Sequence, residues 1–235
     1  TNVQQKPSIR RGNNNMSKIE AKLIDRLGSD LTVANAARVS FAKTHRELMS
    51  GDRKLIAFLA REGHWSPFGH CQLQFWCKAP IFIARQLQKH TVGLCWNEVS
   101  RRYVDTPPEF YAPNGWRLRA EDKKQGSTDI IHNDNEELNV SYNALMKQSQ
   151  AFYTHLIEVE GVAPEQARMV LPQSLMTEWY WTGSLYAFAR IHELRAAKDA
   201  QLECQLFAKE IDRCITDVVD LASSWEALRN ANAKT

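Results

Sequence analysis

HCQLQFWCKAPIFIARQLQK, running from His70 to Lys89, contains the transition that decides the fold. In its first half Leu73, Phe75 and Cys77 alternate with Gln72, Gln74 and Trp76. That is the period of two expected of a strand with one apolar face. Pro80 ends the alternation and suits the first turn of a helix, where its missing N–H is not needed. The following residues predict a helix from Ile81 to Lys89.

The same punctuation can be followed outward. Leu31 to Phe41 carries Leu31, Ala34 and Ala37 about one turn apart and predicts a helix. A second, through Ile56, Leu59 and Ala60, is stopped by Gly63. Beyond Lys89, Asn97 to Tyr103 is expected to be extended, Pro107 and Pro108 break the chain, and Asn114-Gly115 signals a turn. Glu121 to Glu137 is polar and predicted to be an exposed loop. Leu138 to Val159 predicts a long helix, and Pro164 opens a short one that Pro172 closes. Leu175, Thr177, Trp179 and Trp181 alternate within a second strand, Gln173 to Thr182, and Ser184 can cap a helix reaching Arg195. Ala200, Cys204, Phe207, Ile211, Ile215, Val218, Ala222 and Trp225 recur at helical steps and predict one last helix. Helices with separated strands give an α+β class: a central sheet with flanking helices in a single domain over residues 16–235. Thr1 to Asn15 is polar and is expected to be disordered or a cloning remnant.

The 235 residues are 43% hydrophobic and 24% charged, enough for one sizeable core. A net charge of +3 does not demand a nucleic-acid partner. No apolar run approaches the roughly 20 residues of a membrane span, and no secretory signal is evident. Five cysteines without a CxxC pair suggest free thiols in a reducing cytoplasm.

The chemistry concentrates between Arg85 and Tyr103, expected to bind a phosphorylated small molecule. On a helix, Arg85 and Lys89 share a face, as do Gln86 and His90. In an extended segment Glu98, Ser100 and Arg102 share another. Arginine suits phosphate because its planar fork makes paired, charge-assisted hydrogen bonds. Spacing alone favours a solvated basic helix followed by an ordinary edge strand, because charged helix faces are common. His64 and His70 flank a proline turn but lack a third ligand, so no metal site is expected; the turn could present His64 and Ser66 to a ligand. Arg190, His192 and Arg195 lie on one predicted helix. Nothing around Cys95 argues for an activated thiol.

Taken in order, these segments resemble the flavin-dependent thymidylate synthases. The likeness runs over most of the chain after Met16. It rests on Ala36 to Phe41, the Gly63 to His70 turn, Ala79 to Gln86, Asn97 to Tyr103, Glu109 to Pro113, Ala167 to Pro172 and Leu194 to Ala196. The family signature is Arg-His-Arg, seven residues, then Ser. Here Lys89-His90-Thr91 stands in its place and eight residues precede Ser100, the extra one lying between Val92 and Trp96. Gly69 replaces a common Glu, and Ser184 and Tyr186 replace an Asn-x-Arg pair.

The resemblance implies conversion of dUMP to dTMP, with methylenetetrahydrofolate supplying the carbon, NADPH the electrons and FAD the hydride. It implies a homotetramer with active sites between subunits and no membrane or nucleic-acid partner. Residue by residue, Arg195 matches the arginine that activates the uracil ring. Gln86, Lys89, Glu98, Val99, Ser100, Arg101, Arg102, Arg168 and Arg195 match nucleotide-contacting positions. Ser40, His64, Ser66, Lys89, His90, Thr91, Glu98 and Arg190 match flavin-contacting ones. The altered triplet leaves two rival expectations: a non-catalytic nucleotide- or nucleic-acid-binding relative that has lost the flavin, and a flavoenzyme that oxidises NADPH without methylating dUMP.

Overall fold

The computed structural model describes residues 18–121 and 126–232. The expectation for Thr1 to Asn15 lies outside them. The chain forms β1 (Glu20–Leu27), α1 (Asp30–Arg38), α2 (Ser50–Arg61), α3 (Ser66–Gly69), β2 (Gln72–Pro80), α4 (Ile81–Leu87) and β3 (Leu94–Glu98). There follow β4 (Arg117–Arg119), β5 (Ser127–Ile131), α5 (Asn135–Glu158), α6 (Pro164–Ala167), β6 (Met176–Ser184), α7 (Leu185–Arg195), α8 (Leu202–Thr216) and α9 (Ala222–Asn232).

The central sheet is antiparallel in the order β1-β2-β6-β3. The expected alternation of β2 is observed: Leu73, Phe75 and Cys77 are buried, while Gln72, Gln74 and Trp76 are half-buried. In β6 Thr177, Trp179, Trp181 and Gly183 alternate as buried residues, with Met176 also buried at the strand's start. Helices α7 and α8 bring Phe188 and Phe207 onto this face, where they pack on Phe75, Trp179 and Trp181. Burying a side chain of this size is worth roughly 1.5–3 kcal/mol, so this aromatic layer anchors the sheet to its helices.

Four expectations change. β1 was not foreseen, because charged residues mask its alternation and only Ala21 is fully buried; a charged edge strand resists pairing with other chains. Pro80 is the last residue of β2 and the N-cap of α4 rather than part of its first turn, and α4 ends at Leu87 instead of Lys89. The predicted Glu121 to Glu137 loop contains β5, which pairs with β4, and the start of α5. The last helix is two. The chain leaves α8 at Asp217, and the free N–H groups of Ser223 and Ser224 at the start of α9 bond to the buried Asp30 carboxylate at 2.9 and 2.8 Å. That distant cap satisfies donors a continuous helix would have used internally, while both halves keep their apolar stripe on one core.

Candidate active site

Ser184 caps α7 as its sequence suggests, accepting the Ala187 N–H at 3.1 Å. It thereby sets where Arg195, the last residue of that helix, emerges. Arg195 Nε donates to His90 Nε2 at 3.0 Å, and its NH2 group donates to the Gln86 carbonyl at 3.2 Å. Two of its five N–H donors hold the fork, and the side chain lines a cavity of about 460 Å³ together with Gln86, Arg117, Ser127 and Gln201.

His90 accepts from an arginine only with its proton on Nδ1. Burial, assisted by the Arg195 and Arg190 charges, holds its pKa below the ordinary value of 6.5. The folded protein therefore takes up this proton less readily than the unfolded chain. Stability should decline as pH drops below about 6.5 and be indifferent to this group above it. Comparing denaturation midpoints of wild type and His90→Asn across that range checks this. An acid decline of the same size in both proteins would rule His90 out as its source.

A second cavity, of about 570 Å³, is bordered by His90 itself. Lys89, His90, Thr91 and Arg190 line it, with Trp65 and Tyr186, whose rings are 6.1 Å apart. β3 pairs with β6 in unbroken register from Leu94 to Glu98, and the turn before it carries Gly93 with a φ of 70°. Gly183 opposite makes the close approach possible: a Cβ there would press on the Leu94 side chain and stand 3.0 Å from the Gly93 carbonyl oxygen. Other expected cofactor contacts do not line this cavity. His64 is exposed and stacks on Phe58, Ser66 opens α3, and Ser40 is exposed after α1. Lys89 and His90 lie beyond α4, so they do not share helix faces with Arg85 and Gln86 as predicted.

The expected extended face of Glu98, Ser100 and Arg102 is not formed. β3 ends at Glu98, whose carboxylate accepts from Thr177 Oγ1 at 2.7 Å. The Tyr103 N–H then closes a turn onto the Ser100 carbonyl at 3.0 Å. The turn, not strand alternation, brings the Arg102 Nε to 3.3 Å from the Ser100 hydroxyl. Val99 borders a third cavity with Arg101, which donates to the Thr106 carbonyl and sits over the Tyr153 ring. Arg168 is exposed and bonds its own turn at Glu165. At about 3.3 Å per residue, β3 sets Glu98 roughly 13 Å from Leu94. His90, which holds Arg195, precedes β3, and the Ser100 turn follows it.

The sequence reading missed Arg117, Gln201 and Glu203. Arg117 NH2 donates to the two oxygens of the buried Glu203 at 2.9 and 3.2 Å, and its Nε donates to Ser127 at 2.6 Å. Gln201 Nε2 donates to Glu203 at 2.9 Å, and Gln201 Oε1 accepts from Gln86 Nε2 at 2.6 Å. A glutamate on the otherwise apolar face of α8 was the available signal.

Residues 22–219 match the profile of the family described as thymidylate synthase complementing protein. The flavin-dependent thymidylate synthase of Thermus thermophilus is 38% identical over 209 residues, covering 88% of this chain and 74% of that one. That of Thermosipho africanus is 37% identical, covering 81% and 82%. Among solved structures, the UMP/dUMP methylase PolB of Streptomyces cacaoi, bound with 5-Br dUMP, superposes with a TM-score of 0.80 at 31% identity, covering 91% of this chain and 96% of that one. On the length and strength of these matches, the chain belongs to the thymidylate synthase complementing protein family, that of the flavin-dependent thymidylate synthases.

Proposed function

We propose that the protein methylates dUMP at C5 to give dTMP, with a flavin held in the cavity beside His90. The observation that carries this reading is the Arg195 guanidinium, fixed by His90 and by the Gln86 carbonyl and facing a cavity that Gln86 shares. Membership of a family whose members methylate dUMP supports it. For C5 to act as a nucleophile, negative charge must develop on the uracil ring. A guanidinium already oriented there stabilises that charge without reorganising, an effect worth roughly 3 kcal/mol for one well-placed donor. No thiol is needed to activate the ring. Cys204, the cysteine nearest this network, has its pKa pushed up to about 11 by burial and stays protonated.

The residues of the 570 Å³ cavity fit a flavin. Trp65, Tyr186, Ile191 and Leu194 offer apolar walls for a flat ring system, and Lys89 and Arg190 offer cations for a diphosphate. Thr91 removes one guanidinium from the signature, but Arg190 supplies one on the same cavity where relatives often carry Asn. Exchanging Arg190 for Asn should therefore weaken flavin retention, read as the FAD dissociation constant. The bound flavin supplies the hydride. Methylenetetrahydrofolate and NADPH complete the reading. The transferred carbon arrives at the oxidation level of formaldehyde and needs two electrons to become methyl, and NADPH provides them, so the folate is not itself oxidised.

The Ser100, Arg101 and Arg102 turn and Arg168 are assigned to the nucleotide phosphate. The Ser100 turn follows β3 while His90, which holds Arg195, precedes it, and this separation along the strand supports a homotetramer whose sites lie between subunits. So do the exposed Val140, Leu145 and Phe152 on α5. The described cysteines are all unpaired and no helix among the described residues is long and apolar enough to cross a membrane, consistent with an assignment to the cytoplasm.

The test is an absorbance spectrum of the purified protein, followed by product analysis with dUMP, UMP, methylenetetrahydrofolate and NADPH. Flavin bands and dTMP are expected. Protein that stays colourless with added FAD would favour the flavin-free binding protein. NADPH oxidation without dTMP would favour the oxidase.

A further inference from the structure

The hydrogen bonds behind Gln86 have a direction. Glu203 sits in the first turn of α8, 4% exposed, and its carboxylate can only accept. It therefore takes an N–H from Gln201, which leaves Gln201 Oε1 as the acceptor for Gln86 Nε2. Gln86 Oε1 in turn accepts from the Cys204 thiol at 3.2 Å. Arg117 keeps the carboxylate in place by straddling both oxygens, and Ser127 holds Arg117. Without the charge, both amides could rotate by half a turn and exchange donor for acceptor. With it, only one arrangement satisfies every partner.

We propose that Glu203 is a positioning residue. Through Gln201 it fixes which edge of the Gln86 amide donates and which accepts, so that Gln86 meets the nucleotide beside Arg195 with a preset hydrogen-bonding pattern. This rests on the reading of that cavity as the dUMP site. A free amide would match the nucleotide in only some of its orientations and would leave a polar group unpaired in the others, a penalty of the order of tenfold in affinity. The carboxylate of Glu203 need not touch the ligand to have this effect.

Calorimetric titration with dUMP at neutral pH tests it, in wild type, Glu203→Gln, Gln86→Leu and the double variant, with the same cycle for Gln201→Leu. The Gln201 exchange interrupts the relay while leaving the Arg117–Glu203 pair intact, so it decides the matter if Glu203→Gln does not fold. Each single variant is expected to bind dUMP about tenfold more weakly. The doubles should bind no more weakly than Gln86→Leu alone, because both changes act through one amide. Losses that multiply in the doubles, or wild-type affinity in Gln201→Leu and Glu203→Gln, would overturn the relay while leaving the site assignment standing. Wild-type protein that does not bind dUMP would instead overturn the functional reading, and the relay with it.

Discussion

Arg195→Ala is expected to lower kcat/KM for dTMP formation by roughly 10²–10³ while the protein remains folded. The side chain reaches its position from the last turn of α7, and its bonds to His90 and Gln86 use only part of the fork. The remaining donors are the groups that would meet charge building on the uracil ring. Removing them strips out an interaction that strengthens only as the reaction proceeds, so the loss should fall on kcat more than on dUMP affinity. The structural cost should be small: His90 Nε2 loses its donor, worth about 1 kcal/mol in a half-buried site. Arg195→Lys should recover little, because a single ammonium nitrogen cannot reproduce the planar fork whose Nε meets His90 and whose NH2 meets Gln86 while further donors face the ring. Steady-state kinetics with thermal unfolding of each variant checks this. Arg195→Ala turning over within a few-fold of wild type would remove Arg195 from the reaction.

Trp181→Ala is expected to destabilise the protein by about 3–5 kcal/mol. Trp181 is fully buried at the middle of β6, the strand that pairs with β2 on one side and β3 on the other. Its ring meets Phe188 and Trp96 edge-on, both at 5.4 Å, and Phe207 at 6.2 Å. Truncation leaves a cavity bounded by rings that cannot all collapse into it, and it forfeits the aromatic contacts as well. Because Trp96 belongs to β3, the loss should also loosen the Gly93 turn and weaken flavin retention. Trp181→Phe should cost only about 1 kcal/mol: its ring fills much of the space, and the indole N–H that it removes is buried without a partner. Denaturant midpoints for the two variants provide the measurement. A loss below about 1 kcal/mol for Trp181→Ala would mean that the aromatic layer is not the anchor described above.

Much of this molecule is written locally. The period of two in Leu73, Phe75 and Cys77, and again in Thr177, Trp179 and Trp181, identifies two adjacent central strands, because alternation shows directly which face is buried. Ser184 and Gly63 mark a helix start and a helix end by chemistry confined to a few residues. The ordered motifs also carry the family, and they bring Lys89, His90, Thr91 and Arg190 to notice before any coordinates are known.

Only the tertiary structure decided the rest. The end of β3 at Glu98 depends on a bond to Thr177 and on the Ser100 turn, so an extended reading of Asn97 to Tyr103 could not be corrected from that segment alone. The division of the last apolar stripe into α8 and α9 depends on Asp30, 193 and 194 residues before the N–H groups it caps. Gln86 and Gln201 are 115 residues apart, and Arg117 and Glu203 are 86 apart. Periodicity reports which side of an element is buried. The partners of a buried polar group are set by how distant elements pack, and no local pattern records them.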